Sequence, residues 1–308
     1  MKKKVYVYHH NDHDGIVAAG VLYNLYPDSD NAEFIFTMID YAKELNFDHI
    51  NFVNDDEVYF LDYSFTNDHN LKEFKKLLER RSPADSSKVI WIDHHVSSFK
   101  SELEKYEIAG ILDTSLCGAA LTYLYFTPAS YESFNATNLG TYFHNDKKIP
   151  EFLKYIDDYD CWKHLYPETN NFHYGFIVSD PTSHIIGNLL YKNTMITDII
   201  YSGGKIKKYL AANDKDYHID MYGFEYKLPK EHGGLRCFCI NRKGNSLMFG
   251  DKVDDYDAVI PFYFNGTKWS YSIFTTKDQV SCEAVAKSYG GGGHLKAAGW
   301  TSDELIFK

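Results

Sequence analysis

Through the first half of the chain, short apolar runs alternate with stretches in which apolar residues recur at helical spacing. Val5 to Tyr8, Glu33 to Met38, Val58 to Leu61 and Val89 to Ile92 read as strands. Between and after them, Gly15 to Tyr26 reads as a helix and Leu71 to Arg80 as an amphipathic one. Cys117 to Phe126 reads as a buried helix with small residues where it would meet a sheet. This βα alternation predicts an α/β domain built on a parallel sheet with helices on both faces. Ile149 to His164 predicts a further helix, entered at Pro150 and closing on an acidic cluster.

The pattern changes in the last third. Leu235 to Ile240, Ala258 to Phe264 and Lys268 to Phe274 are strand-like, with Asn265-Gly266 a strong hairpin turn between the last two. Val280 to Tyr289 then predicts a helix that runs into consecutive glycines. Upstream, Ser202-Gly203-Gly204 followed by Lys205, Lys207 and Lys208 reads as a turn leading into a helix. The expected organisation is a parallel-sheet α/β domain over 1–195, a connector over 196–216, and a smaller mixed α/β domain over 217–308.

The polar residues that end the apolar runs carry the chemistry. His10, Asp12 and Asp14 alternate directly after the first strand, Asp62 follows the third, and Asp93-His94-His95 follow the fourth. One aspartate after a strand is ordinarily a helix N-cap or a turn former, and paired histidines are often surface residues. Carboxylate and imidazole at three strand ends outweigh that reading. In a parallel sheet these ends share the carboxyl edge, where open α/β folds place their ligands. Hard carboxylates mixed with imidazole suit Mn²⁺, with Mg²⁺ or Co²⁺ as substitutes, and the lack of thiolates argues against structural zinc.

Composition narrows the partners. A formal net charge of -11 over 308 residues opposes a protein that tracks along a polyanion, since that affinity comes largely from lysine and arginine. A short or small phosphorylated substrate escapes the objection. The 17% aromatic share is high and supplies packing, with some rings available to stack on bases. Cys117, Cys161, Cys237, Cys239 and Cys282 are an odd set without paired zinc spacings, so they read as reduced thiols in a cytoplasmic protein. Met1-Lys2-Lys3-Lys4 leads into an apolar run too short for a signal peptide, and no apolar stretch approaches membrane-spanning length.

His10-Asn11-Asp12-His13-Asp14-Gly15, then Asp62, then Asp93-His94-His95 resemble the first three motifs of the DHH phosphoesterase superfamily. Independently, Gly290-Gly291-Gly292-Gly293-His294-Leu295-Lys296-Ala297-Ala298-Gly299 resembles the glycine-rich signature of the DHH-associated C-terminal domain. The stretch from Ile149 resembles the fourth motif, which supplies one more metal-binding aspartate. Spacing leaves Asp157, Asp158 and Asp160 in competition. Comparison with relatives that place an aromatic residue four positions after the ligand, as Trp162 stands here, favours Asp158, with Asp160 second.

The resemblance implies two metal sites, one held by His10, Asp12 and Asp62, the other by Asp14, Asp62, His94 and Asp158, with Asp62 bridging. Two ions roughly 3.5 to 4 Å apart can activate a shared water toward phosphorus. Asp62, Asp93 and His95 then form the catalytic set, with His95 contacting the phosphate or assisting the leaving oxygen and Asp93 orienting the histidines. Gly291, Gly292 and Gly293 would present backbone amides to an anion, joined by His294 and Lys277, with the active site in an interdomain cleft. Relatives acting on short oligonucleotides carry an arginine in a Ser-Leu-Arg-Ser-like strand, where Ser272-Ile273-Phe274-Thr275 stands here. Lys277 supplies a charge nearby, but not the bidentate grip of a guanidinium.

The expected activity is therefore Mn²⁺-dependent hydrolysis of short single-stranded oligonucleotides, or related small nucleotide phosphoesters, to mononucleotides. Cyclic-dinucleotide phosphodiesterase, 3'-phosphoadenosine phosphate phosphatase and RecJ-type exonuclease are alternatives, as is a non-catalytic nucleotide-binding protein. No membrane partner is expected, and a homodimer is left open.

Overall fold

Five strands, β1 (Lys3–His10), β2 (Ala32–Ile39), β3 (Glu57–Leu61), β4 (Val89–Asp93) and β5 (Ala109–Leu112), form one sheet in the order β2-β1-β3-β4-β5. Every neighbouring pair is parallel. The computed structural model describes residues 2–41, 43–52, 56–81, 88–98, 101–127, 139–192, 195–216 and 222–307. Register decides what meets at the carboxyl edge. His9 lies opposite Leu61, and Leu61 opposite Ile92, so His10, Asp62 and Asp93 follow one another across three adjacent strand ends. The strand order reverses between β1 and β3, which is the kind of switch point where such sheets bind ligands.

Alternation along each strand sends side chains to opposite faces. Val5, Val7, Tyr59, Leu61, Ile90 and Ile92 pack on one side with helices α1 (His13–Leu25) and α3 (Gly118–Phe126). Tyr6, Tyr8, Val58, Phe60 and Trp91 pack on the other with Leu71, Phe74, Leu77 and Leu78 of α2 (Asp68–Arg80). Ala18 and Ala19 of α1 and Ala119 and Ala120 of α3 are buried in the same core, small enough for the two helices to lie close. Phe74 is fully buried and stacks on Phe65 at 4.0 Å, so its truncation to alanine would cost about 3–5 kcal/mol. Both faces are covered, as the βα alternation predicts.

Helices α4 (Leu139–Asn145), α5 (Glu151–Asp160), α6 (Thr169–Val178), α7 (Ser183–Lys192) and α8 (Ile196–Asp216) follow. The expected helix from Ile149 to His164 is shorter than its pattern suggests. Beyond Asp160 the chain turns, with Trp162 and His164 both at φ 54. Backbone amides after the turn bond to Asp158 instead of continuing the helix: Lys163 N donates to its carbonyl at 2.9 Å and Leu165 N to its carboxylate at 2.6 Å. The stretch expected as a connector is the helix α8, and the chain divides within it into Met1–Gly204 and Lys205–Lys308.

The second unit holds a six-stranded mixed sheet, ordered β10-β11-β9-β8-β7-β6. Its strands are β6 (Phe224–Lys227), β7 (Arg236–Asn241), β8 (Ala258–Phe264), β9 (Trp269–Phe274), β10 (Gly292–Gly293) and β11 (Ala297–Ser302), with α9 (Cys282–Ser288) packed against it. The Asn265-Gly266 turn joins β8 to β9, Asn265 N donating to the Lys268 carbonyl at 2.9 Å. Trp300 is stacked between Tyr271 and Tyr289, at 5.1 and 4.8 Å. Cys237 and Cys239 are buried in β7, and all the cysteines are free thiols. No described helix is long and apolar enough to cross a membrane.

Candidate metal centre

Each segment at the carboxyl edge aims its polar residue at one point. Asp12 caps α1, its Oδ1 accepting from Gly15 N at 2.9 Å, while its Oδ2 comes within 2.6 Å of His10 Nδ1. Asp62 follows β3 in the left-handed region, φ 54, a conformation that costs a non-glycine residue about 1–2 kcal/mol and is typical of functional sites. That twist places its carboxylate between two groups. Oδ2 lies 3.6 Å from His10 Nδ1, and Oδ1 lies 3.2 Å from His94 Nε2. His94 Nε2 is also 3.4 Å from Asp160 Oδ2 and 3.8 Å from Asp14 Oδ2. The ligand atoms of His10, Asp12 and Asp62 converge, as do those of Asp14, Asp62 and His94.

Asp14 is fixed from a distance in sequence. Gly118 N and Ala119 N, at the start of α3, donate to its two oxygens at 2.6 and 2.8 Å, so a helix N-terminus steadies a buried carboxylate. The position requires glycine. A Cβ on Gly118 would stand 2.6 Å from the Cβ of Asp62 and 3.0 Å from Asp14 Oδ2. Sequence reading treated this residue only as part of a small-residue packing face and missed its role beside the cluster.

Electrostatics makes the cluster costly without a cation. Burial, then the charge of Asp12, raises the Asp14 carboxyl to about 6. Burial, followed by the charges of Asp14, Asp12, Asp160 and Asp93, raises Asp62 well above the carboxylate range. Asp160 rises for the same reasons, with Asp14 the largest neighbouring charge. Burial would raise Asp12 as well, but His10 beside it holds that carboxyl low. Among the described residues, both Asp62 oxygens and Asp160 Oδ2 are shut from water with no hydrogen-bond partner. Lone pairs converging without donors are what a divalent cation completes, and the oxygen and imidazole donors fit one.

At the acidic end of α5 the structure places Asp160, and not Asp158, beside His94. Asp158, favoured from the sequence, is buried and committed to the turn after its helix. Its carboxylate accepts from Leu165 N at 2.6 Å, Tyr166 N at 3.3 Å and the Thr169 hydroxyl. Asp157 is likewise engaged, accepting from Cys117 N at 2.7 Å, His144 Nε2 at 2.6 Å and Lys163 Nζ at 2.5 Å. Asp160, two residues further round the helix, is the one that faces His94. Helical geometry explains the choice, because Asp158 and Asp160 point to different sides of α5.

His95 and Asp93 pair as expected, Nδ1 donating to Asp93 Oδ1 at 2.8 Å, and the Ser98 hydroxyl donates to the other Asp93 oxygen. Burial opposes charge on both, yet His95 holds Asp93 below its usual value and Asp93 holds His95 above its own. Tyr41, which no sequence signal marks, stacks on Tyr63 at 5.0 Å and lies 5.1 Å from the His10 ring. A cavity of about 230 Å³ adjoins Asp12, Asp14 and Asp160. Its aromatic lining includes Tyr159 and His173, stacked at 3.4 Å, and burial pushes the His173 imidazole down to about 3.

In the second unit, the glycine run is shaped by packing. A Cβ on Gly291 would meet the Gly299 carbonyl at 2.1 Å, and one on Gly293 the Ala298 Cα at 2.6 Å. Gly291 N, one of the three amides expected to face an anion, donates to Ala286 O at 2.8 Å, and His294 N donates to Ala297 O at 2.7 Å. Gly292 has open space above its Cα. Lys277 Nζ donates to the Asp254 carbonyl at 2.6 Å.

Comparison with known proteins agrees with this geometry. Residues 4–154 match the family model for the DHH family, N-terminal domain. An uncharacterized protein of Acanthamoeba polyphaga mimivirus is 27% identical over 162 residues, 51% of this chain and 38% of that protein, so the match spans under two-fifths of the curated relative. RecJ from Thermus thermophilus, solved with Mn²⁺, superposes with a TM-score of 0.54 and 13% identity, over 99% of this chain and 50% of the other. A pGpG-specific phosphodiesterase from Vibrio cholerae gives a TM-score of 0.45 and 11% identity, over 97% and 93% of the two chains. The family match covers the five-stranded parallel sheet and every residue of the cluster except Asp160, and residues 4–154 of the chain form a DHH family N-terminal domain.

Proposed function

We propose that this chain is a Mn²⁺-dependent phosphodiesterase that hydrolyses short oligonucleotides or related small nucleotide phosphoesters. One observation carries the reading: Asp62, buried and without a hydrogen-bond partner at either oxygen, lies between His10 with Asp12 on one side and Asp14, His94 and Asp160 on the other. A bridging carboxylate between two half-sites fits a pair of cations. His10, Asp12 and Asp62 would hold one, and Asp14, Asp62, His94 and Asp160 the other. Bound there, divalent ions supply water activation and neutralise phosphoryl charge.

The chain's own groups do the rest. The two α3 amides keep Asp14 from rotating out of the cluster. Asp93, itself held by Ser98, fixes the His95 ring beside Asp62, where the imidazole would meet a phosphoryl or leaving oxygen. The formal charge of -11 supports short substrates over long strands.

The test is hydrolysis by the purified protein, with Mn²⁺, of dinucleotides to longer single strands, cyclic dinucleotides and 3'-phosphoadenosine phosphate, with Asp62→Ala as control. Highest turnover on two-to-five-nucleotide substrates, abolished in the variant, is the expected result. Preference for long strands would move the protein to the processive exonucleases. Bound metal with no turnover of any phosphoester would make it a nucleotide-binding protein.

A further inference from the structure

We propose that the cavity beside the metal cluster is a subsite for an uncharged aromatic ring, the nucleobase of the substrate, and that it selects nucleotide phosphoesters over inorganic phosphate chains. The inference rests on the phosphoester reading above and names the group attached to the phosphate.

Three observations carry it. Asp12, Asp14 and Asp160 belong both to the cluster and to the cavity wall, so a phosphoryl group at the cluster has the cavity as its immediate neighbour. The rest of the wall is aliphatic and aromatic: Tyr155, Ile156 and Phe172 are buried, and His13, Tyr159 and His173 are half-buried. No lysine or arginine stands among its described lining residues. A second phosphate entering here would meet carboxylates with no cation of the protein to offset them, which is strongly unfavourable. A flat neutral ring meets apolar and aromatic surface, the environment in which bases pack.

The size agrees. About 230 Å³ lies below the range that accepts whole drug-sized ligands, so the cavity takes one ring system and not an entire nucleotide. His13 packs edge-on against His173 at 5.0 Å, and Tyr159 edge-on against Trp162 at 5.6 Å, so the wall is held by neighbours on two elements. Tyr159 and His173 are thus specificity residues, distinct from the metal ligands.

The test compares kcat/KM of the Mn²⁺-loaded protein on a dinucleotide and on its two abasic counterparts, each lacking one base. Removal of one particular base is expected to lower kcat/KM roughly 10- to 100-fold. Tyr159→Leu and His173→Leu should each shrink that ratio toward one. Because either variant could fold poorly, binding of adenosine 5'-monophosphate against inorganic phosphate is measured on wild-type protein as well, and the nucleotide should bind at least tenfold more tightly. Turnover of dinucleotides with no penalty for base removal would overturn the subsite and leave the phosphoester reading standing. Absence of all turnover, with tight adenosine 5'-monophosphate binding that Tyr159→Leu abolishes, would support the subsite while the catalytic reading fell. Faster hydrolysis of tripolyphosphate than of dinucleotides would overturn the subsite.

Discussion

Asp158→Ala and Asp160→Asn should fail in opposite ways, because one carboxylate holds the fold and the other completes the cluster. Truncating Asp158 strands two backbone amides and the Thr169 hydroxyl inside the first unit. Each such group costs roughly 1–3 kcal/mol when left without a partner, and since the effects overlap the sum is about 3–5 kcal/mol. In a unit of this size 1 kcal/mol moves Tm by roughly 2–4 °C, so Tm should fall by roughly 6–20 °C, with EDTA or with Mn²⁺ alike. Asp160→Asn removes one of several like charges around Asp62, and the metal-free protein should melt no lower than wild type. What it should lose is the rise in Tm on adding Mn²⁺, which for a ligand at 100 times its Kd is about 2.7 kcal/mol of stabilisation. Thermal melts with EDTA and with Mn²⁺ read both effects at once. An Asp158→Ala protein that melts normally in EDTA but ignores Mn²⁺, or an Asp160→Asn protein that keeps the full Mn²⁺ response, would refute the assignment.

Other consequences are as direct. Gly118→Ala would drive a methyl group against Asp62 and Asp14, an overpacking of about 1–3 kcal/mol, and calorimetry should show Mn²⁺ affinity lowered at least tenfold. The metal-free protein should lose stability as pH rises from about 4 to about 6. Asp14 titrates at about 6 in the fold but near 4 when unfolded, so the folded state binds more protons across that window, and Asp62 and Asp160 shift the same way. Mn²⁺ should accordingly raise Tm more at pH 7.5 than at pH 5, and equal increments would contradict the cluster. Asp93→Asn should lower kcat 10- to 100-fold through His95. His95→Gln made on that background should add little further loss, because the two act as a unit; additive losses would separate them.

Much of the first unit was legible because its strand-end chemistry and its apolar runs obey one rule. A parallel sheet covered on both faces leaves polar side chains to its two ends, so His10, Asp62 and Asp93, each closing an apolar run, mark the carboxyl edge and the register at the same time. The choice within the acidic cluster was not legible. Asp157, Asp158 and Asp160 differ by which side of one helix they occupy and by partners as distant as Cys117 and Thr169, neither of which spacing reveals. A carboxylate near a helix C-terminus opposes the helix dipole, and for Asp157 the compensating cation is Lys163. The helices between Leu139 and Asp216 were largely unread, because their tyrosines, histidines and asparagines blur helical periodicity. β5 and β11 escaped for a different reason: Gly110 in the first and Gly299 in the second interrupt strand patterns for close backbone approach. The glycine run was expected to cradle an anion, whereas Gly291 and Gly293 are required by the nearness of β11.

The proposed function requires this cluster to hold divalent cations on both sides of Asp62. Anomalous diffraction at the manganese edge, from crystals grown with Mn²⁺, tests it most directly. Two peaks flanking the Asp62 carboxylate, one against His10 and Asp12 and the other against Asp14, His94 and Asp160, are the predicted result. A single peak away from Asp62, or a second peak coordinated by Asp158, would contradict it.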